Sequence, residues 1–136
     1  MKSRLSAIYT VIFLVMGITE ATAKDFCIGT FSSMHFNTES GDLSGVEINI
    51  VNAHSGKQAA VQFSEGEPGA LMVTPVVCDG THLFFSLPRD AGRASATFSG
   101  VVSGKRLVGE FVFDTGARDK VSLVRRSSYW NKKHSR

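Results

Sequence analysis

The chain has 136 residues, a net charge of +3 and 43% hydrophobic residues, which fits one globular domain with a modest core. Beyond the first apolar run near the N-terminus, no run approaches the length of a membrane span, so we expect no transmembrane helix in the mature protein. Basic residues concentrate after Arg118, so a mildly acidic body ends in a basic tail.

Residues 1–23 have the pattern of a secretory signal peptide. Lys2 and Arg4 give a positive start, Ala7–Met16 is a short apolar run, and Ala21-Thr22-Ala23 supplies a small-residue cleavage site. We therefore expect export to the periplasm or the extracellular space, with cleavage after Ala23. The mature chain then divides into a body, residues 24–126, and a basic C-terminal tail, residues 127–136.

The body predicts an all-β antiparallel meander of about eight strands, because short alternating apolar runs follow one another with turn signals between them. Pro75 within the fourth run indicates an edge position or a bulge. Eight strands suit a small up-and-down barrel or a sandwich. The predicted strands are Phe26–Phe36, Val46–Ile50, Gln58–Phe63, Leu71–Val77, His82–Leu87, Ala94–Val102, Arg106–Phe113 and Lys120–Arg126.

One hairpin is rich in glycine. Gly104 belongs to its turn, whereas Gly100 and Gly109 lie inside the flanking strands, where glycine weakens pairing unless a bend or a close neighbour requires it. This arrangement predicts a strongly coiled hairpin, as at the corner of a small barrel.

The mature chain contains two cysteines, Cys27 and Cys78. Because exported proteins with an even number of cysteines usually pair them, we predict one disulfide. No C-x-x-C spacing supports the alternative of a reactive thiol pair.

The run Thr97–Phe111 (TFSGVVSGKRLVGEF), followed by a strand that ends in LVRR, resembles the closing half of small secreted bacterial β-meander modules of calycin-like appearance, similar to lipocalins and avidins. Cys27–Phe31 resembles their opening strand, although Phe26 or Cys27 stands where a tryptophan is common. The resemblance implies a barrel that binds small apolar molecules or other proteins. It carries no catalytic residue.

The sequence predicts no catalytic site, metal site or cofactor. The chain has no G-x-S-x-G, P-loop, dinucleotide or H-E-x-x-H motif. His35, His54 and His82 fall at separate turns and strand ends, a spacing more typical of exposed histidines than of metal ligands.

Phenylalanines dominate the aromatic residues and alternate with polar neighbours, as core residues do. Some of them could instead line a cavity for a small apolar ligand, since an eight-stranded barrel can hold one. The candidate lining residues are Phe31, Phe63, Phe84, Phe98, Phe111 and Phe113.

The tail interleaves cations with aromatic rings, a pattern that suits an anionic partner. Alternatively, Trp130 plugs one end of the barrel and the cations are a solvated terminus. The candidate residues for binding an anionic partner are Arg125, Arg126, Tyr129, Trp130, Lys132 and Lys133.

Together these features predict an exported, non-enzymatic binding module. The first hypothesis is a small apolar ligand inside the barrel. The alternative is a protein-interaction or inhibitor module, similar in role to lysozyme inhibitors, that binds an anionic or protein partner through its loops or tail. An exported hydrolase is the third reading, and it requires three polar side chains to converge in a cleft.

Overall fold

The structure, a computed structural model, describes residues 25–90 and 92–131, so the predicted signal peptide lies outside the described residues. It contains nine strands and one short 3-10 turn, Tyr129–Asn131. Among the described residues, no helix is long and apolar enough to cross a membrane. The strands are β1 (Gly29–Ser32), β2 (His35–Phe36), β3 (Leu43–Ala53), β4 (Gly56–Gly66), β5 (Pro68–Asp79), β6 (His82–Leu87), β7 (Ala96–Ser103), β8 (Arg106–Phe113) and β9 (Arg118–Arg125).

The strands form a closed antiparallel barrel. From β3 to β9 each strand pairs with the next, β9 returns to pair with β1, and β1 pairs with β3 to close the ring. β2 is an extra strand on the edge of β3. The predicted all-β meander of eight strands is therefore confirmed, and the fold is a barrel rather than a sandwich.

The first predicted strand, Phe26–Phe36, forms two pieces instead of one. β1 and β2 lie along β3 in a single register and are separated at Ser33 and Met34. The interruption faces Gly45, whose φ is +117° and where an added Cβ would lie 2.7 Å from the Ser33 carbonyl oxygen. The backbone between β1 and β2 thus approaches β3 at a position that only glycine tolerates.

Phenylalanine rings fill the centre of the barrel. The Phe98 and Phe111 centroids are 4.7 Å apart, Phe85 and Phe98 are 4.9 Å apart, and Phe63 lies 5.0 Å from Phe111. These separations are in the range of favourable aromatic contacts. The interior is therefore a packed aromatic core.

The two strand glycines of the β7–β8 hairpin make room for one of these rings. Gly100 and Gly109 lie opposite each other in the register. A Cβ on Gly109 would lie 2.5 Å from Cζ of Phe98, and one on Gly100 would lie 2.8 Å from the same ring. Of the two reasons that the sequence left open for these glycines, a bend or a close neighbour, the Phe98 side chain supplies the second.

The end of the barrel that carries the short turns after β3, β5 and β7 is called the closed end. The predicted disulfide, Cys27–Cys78, lies here, with the two Cα atoms 6.4 Å apart. Arg125 donates hydrogen bonds to the carbonyls of Phe26 and Ile28, and its guanidinium lies 4.5 Å from the Phe31 centroid. The chain entering the barrel is thus tied to the last strand.

The opposite, open end carries the longer loops, and two seams part the wall there. β9 pairs with β1 only at Val124 and Arg125, so residues 118–123 of β9 have a strand partner on one side, β8. β5 pairs with β6 only from Val76 onward. Pro75, predicted at an edge position or a bulge, ends the stretch of β5 that pairs with β4 alone.

Candidate functional site

Most of the predicted ligand-lining residues lie inside the barrel. Phe31, Phe63, Phe98 and Phe111 are buried, and Phe113 is partly buried at the edge of the core. They pack against one another rather than around an empty centre, so the geometry does not favour an apolar ligand in the interior.

The prediction that Phe84 lines the interior is wrong, because its side chain points outward and is 49% exposed. Its neighbour Phe85 takes the inward position. Adjacent residues of a strand point to opposite faces, so only one of the two can enter the core. The register of β6 selects Phe85, in line with Leu83 and Leu87, which are also buried.

Arg125 and Arg126, predicted to bind an anionic partner, are engaged within the barrel. Arg125 holds the first residues of the described chain, as above. Arg126 donates to the Met34 carbonyl and, over 3.2 Å, to the Ser32 hydroxyl. Lys132 and Lys133 lie outside the described residues. The structure therefore gives the two arginines a structural role.

The first part of the predicted tail folds back onto the outer wall. Glu47 is a buried carboxylate on the outer face of β3; it accepts hydrogen bonds from the Ser128 hydroxyl at 2.5 Å and from the Tyr129 amide at 2.9 Å. The Trp130 indole donates to Gln62 at 2.8 Å. Trp130 thus lies on the outer wall rather than plugging an end of the barrel, because the buried Glu47 carboxylate holds the segment before it.

The close group of metal-ligating residue types in the described ranges is Asp25 with Cys27 and Cys78. Both sulfurs belong to the disulfide, which leaves a single carboxylate. Such a group does not supply the set of ligands that a metal ion needs.

One concavity is a cleft in the β9 seam, which we call the open-end cleft. It has a volume of about 390 Å³. β9 forms one side of the cleft, and the start of β3 with the end of β4 forms the other. This size is near the lower limit of pockets that hold small ligands. The cleft is lined by Ser33, Gly45, Val46, Phe63, Ser64, Glu65 and residues 119–123.

The cleft combines an apolar floor with one unpartnered polar group. Val46, Phe63 and Leu123 are buried core residues that border it. Ser64 is 3% exposed, and its hydroxyl has no hydrogen-bond partner among the described residues. A buried hydroxyl without a partner costs about 1–3 kcal/mol, so such groups are rare in folded proteins and call for an explanation.

The backbone of β9 adds further polar groups on the other side of the cleft. The Arg125 amide donates to Lys105 on the β8 side, whereas the Arg126 amide donates to Thr30 on the β1 side. Because backbone groups alternate in direction along a strand, the N–H and C=O groups of Lys120 and Ser122 also point toward the β1 side. There the seam leaves them without a neighbouring strand.

Charged side chains surround the cleft in a mixed pattern. Glu65 accepts a hydrogen bond from Arg93 at 2.8 Å. The Arg93 guanidinium lies over the ring of Phe63, 3.9 Å from its centroid. Asp119 and Lys120 also line the cleft. This mixture favours a ligand with little net charge.

The pKa of one carboxylate at the open end, that of Asp114, is lowered. The Ser95 hydroxyl donates to Asp114 at 2.8 Å and Arg89 forms an ion pair with it at 2.7 Å. These hydrogen bonds, that from Ser95 above all, hold the pKa of Asp114 below the ordinary value of an aspartate. Through these contacts Asp114, in the loop after β8, is joined to Arg89 before residue 91 and to Ser95 after it.

Sequence reasoning did not find the open-end cleft. Ser64 follows Phe63 at a register shift between β4 and β5, and both residues are buried in succession, which strict alternation does not predict. The seam depends on where β1 stops pairing with β9, a tertiary feature. Gly45, against which the chain between β1 and β2 lies, falls outside the predicted strand Val46–Ile50 and so gave no signal of the cleft.

No protein-family model, curated protein or solved structure matches the chain.

Proposed function

We propose that this chain is an exported, non-enzymatic binding module that captures an extended polypeptide segment of another protein in the open-end cleft. The signal-peptide pattern supports export, and the closed antiparallel barrel agrees with the calycin-like appearance of the sequence. Binding of other proteins is one of the two activities that this resemblance implies.

The observation that carries the proposal is the one-sided edge of β9 beside the unpartnered Ser64 hydroxyl. Exposed strand edges are templates for pairing with another chain, and extended peptides use them to add a strand to a sheet. A segment paired with Lys120 and Ser122 would lie along the β1 side of β9, beyond the point where the two strands part, and would fill the seam.

The cleft also indicates the side chains that the segment carries. Alternate residues of a paired strand point inward, toward Phe63, Val121 and Leu123, so an apolar side chain fits there. A neighbouring amide or hydroxyl group would supply the partner that Ser64 lacks. Ser64 forms no hydrogen bond with a histidine or carboxylate in the described chain, which supports binding rather than nucleophilic catalysis.

The experiment is selection of linear peptides from a phage-displayed library on the purified, oxidised protein, followed by affinity measurement with variants. Ser122→Pro removes an N–H that faces the cleft, whereas the β8 ladder uses the other edge of β9. Losing one or two backbone hydrogen bonds should weaken peptide binding about tenfold. Ser122→Ala is the matched control, because it removes the hydroxyl and keeps the N–H.

Wild-type affinity in Ser122→Ala and a tenfold loss in Ser122→Pro would support the proposal. Equal affinity in both variants, or a library that yields no binding peptide, would contradict it. The unfolding transition of each variant, measured in parallel, separates a lost edge from a lost fold. Edman sequencing of the secreted protein tests export separately, and the expected first residue is Lys24.

A further inference from the structure

The mouth of the open-end cleft has an acidic rim, formed by Asp42, Glu65, Glu67 and Asp119. Glu65 and Asp119 line opposite sides of the cleft. The turn between β4 and β5 brings Glu67 next to Glu65, because the Glu65 amide donates to the Glu67 carbonyl at 3.3 Å. A Cβ on Gly66, between these two residues, would lie 3.8 Å from the Asp42 carboxylate. The start of β3, the β4–β5 turn and the start of β9 thus place four carboxylates around one mouth.

The charged side chain that β9 directs into the mouth is a carboxylate. Asp119 shares a face of β9 with the buried Leu123 and lies opposite the buried Phe111. Lys120 belongs to the other face, the outer one, where it lies opposite Glu110 of β8. The lysine therefore has an acidic neighbour outside the barrel and leaves the negative charge of Asp119 at the cleft.

The rim has more carboxylates than nearby cations. Arg93 forms an ion pair with Glu65, whereas the other three rim carboxylates form no ion pair within the described ranges. At the closed end the excess has the opposite sign, because Lys105 and Arg106, where β7 turns into β8, also form no ion pair among the described residues. Charge separation of this kind attracts a cationic ligand to the open end.

The spacing of the rim carboxylates favours a polypeptide with cationic side chains over a metal ion. In the part of the chain that the structure describes, no three of them bring their oxygens within 4.8 Å of one another. Calcium needs about six to eight oxygen ligands around one point, whereas separate carboxylates can each accept hydrogen bonds from a different lysine or arginine. The Ser64 hydroxyl is independent support for a ligand here, because it lines the same cleft, is buried and lacks a partner among the described residues.

We infer that the segment captured in the open-end cleft is basic, with lysine or arginine close to its buried apolar residue, and that the acidic rim binds these cations. This inference rests on the peptide-binding function proposed above and names the class of peptide. Asp119 is four residues before Leu123, about 14 Å along a strand, so the cation lies about two to four residues from the apolar side chain. The part of the segment inside the cleft has little net charge, as the mixed lining indicates.

The test uses three phage-displayed peptide libraries that share a central leucine and differ in the flanking residues, which are lysine, serine or glutamate. We expect the lysine library to give the tightest binders to the purified, oxidised protein. The best lysine peptide, resynthesised with serine in place of its lysines, should bind about tenfold more weakly, since each exposed ion pair contributes up to about fivefold. Only the lysine peptide should lose affinity as the salt concentration rises.

Variants of the protein locate the effect at the rim. Glu67→Gln should weaken binding of the lysine peptide about threefold, and combined Asp42→Asn, Glu67→Gln and Asp119→Asn should weaken it about tenfold. Neither variant should change the affinity of the serine peptide. Asp79→Asn is the matched control, because it also removes one exposed carboxylate, at the closed end. We expect it to bind the lysine peptide as the wild type does.

Equal affinity of the lysine and serine peptides for the wild-type protein would overturn this inference and leave the peptide cleft standing. The same loss in Glu67→Gln and Asp79→Asn would overturn it too, because net charge rather than the rim would then set the affinity. If none of the three libraries yielded a binding peptide, both this inference and the proposed function would be contradicted.

Discussion

At the closed end of the barrel, short turns, a disulfide and the Arg125 hydrogen bonds join the first residues of the described chain to the body and the last strand. At the open end the same strands separate, two seams interrupt the wall, and the buried Ser64 hydroxyl has no hydrogen-bond partner within residues 25–90 and 92–131. Both ends share one aromatic core, so the difference lies in the backbone pairing rather than in the hydrophobic packing.

The two ends therefore differ in the kinds of contact that they make. The closed end uses the cross-link and satisfied polar groups to stabilise the fold. The open end leaves backbone and side-chain groups unsatisfied, which weakens the fold locally and gives a partner something to bind. Regions used for ligand binding commonly come from the less stable part of a domain.

The largest expected effect concerns the disulfide of the closed end. Its cysteines are 51 residues apart, and on the chain-entropy model a loop of this length contributes about 4 kcal/mol to the free energy of unfolding. The double variant Cys27→Ser, Cys78→Ser should lose up to this amount in urea-induced unfolding. A loss below about 1 kcal/mol would mean that the closed end does not depend on its cross-link.

A second prediction concerns the packing of the β7–β8 hairpin. Gly109→Ala places a Cβ against the Phe98 ring and the Ser99 carbonyl, and overpacking of this kind costs about 1–3 kcal/mol. Val108→Ala, an exposed neighbour on the same strand, is the control and should cost less. Equal unfolding free energies for the two variants would show that the core yields easily at this position.

Two buried serines, Ser32 and Ser64, allow a direct comparison of a hydrogen-bonded hydroxyl with one that has no partner among the described residues. Ser32 accepts hydrogen bonds from the Met34 amide and from Arg126, so Ser32→Ala should lower the unfolding free energy by about 1 kcal/mol. Ser64 has no such partner, so Ser64→Ala should raise it by about 1 kcal/mol and also weaken peptide binding. Destabilisation by both substitutions would remove the central distinction between them.

The smallest expected effect is electrostatic. The pKa of Asp114 is lowered in the folded state, chiefly by the Ser95 hydroxyl and also by Arg89. Its contribution to stability is therefore present above the pKa of the unfolded chain and is lost as the pH falls through the lower folded pKa. In an NMR titration, Ser95→Ala should raise the Asp114 pKa toward its ordinary value, and an unchanged pKa would contradict the assignment of its cause.

Local pattern was sufficient to predict the strands and the single disulfide, because the strands follow from alternation and the disulfide from an even number of cysteines in a chain with a signal-peptide pattern. It did not identify Phe98 as the ring for which Gly100 and Gly109 make room. It misassigned Phe84 because two adjacent phenylalanines fit either register, and only the pairing with β5 and β7 decides between them. The folding of residues 126–131 over Glu47 depends on a carboxylate about eighty residues earlier in the chain.

The open-end cleft was beyond prediction for a related physical reason. Its existence depends on where β1 and β9 stop pairing, next to the close approach of Ser33 to Gly45 on another strand. Sequence periodicity reports which face of a strand is buried. It does not report how far along its length a strand finds a partner.

The most direct test of the account is hydrogen exchange of the β9 amides, measured by NMR for the protein alone and with a selected peptide. In the free protein we expect the exchange rates of successive β9 amides to alternate, with fast exchange at Lys120 and Ser122 and slow exchange at Val121 and Leu123. We further expect the peptide to slow the two fast amides. Equal protection of all four amides without peptide, or no change at Lys120 and Ser122 on binding, would contradict the claim that this edge is the docking site.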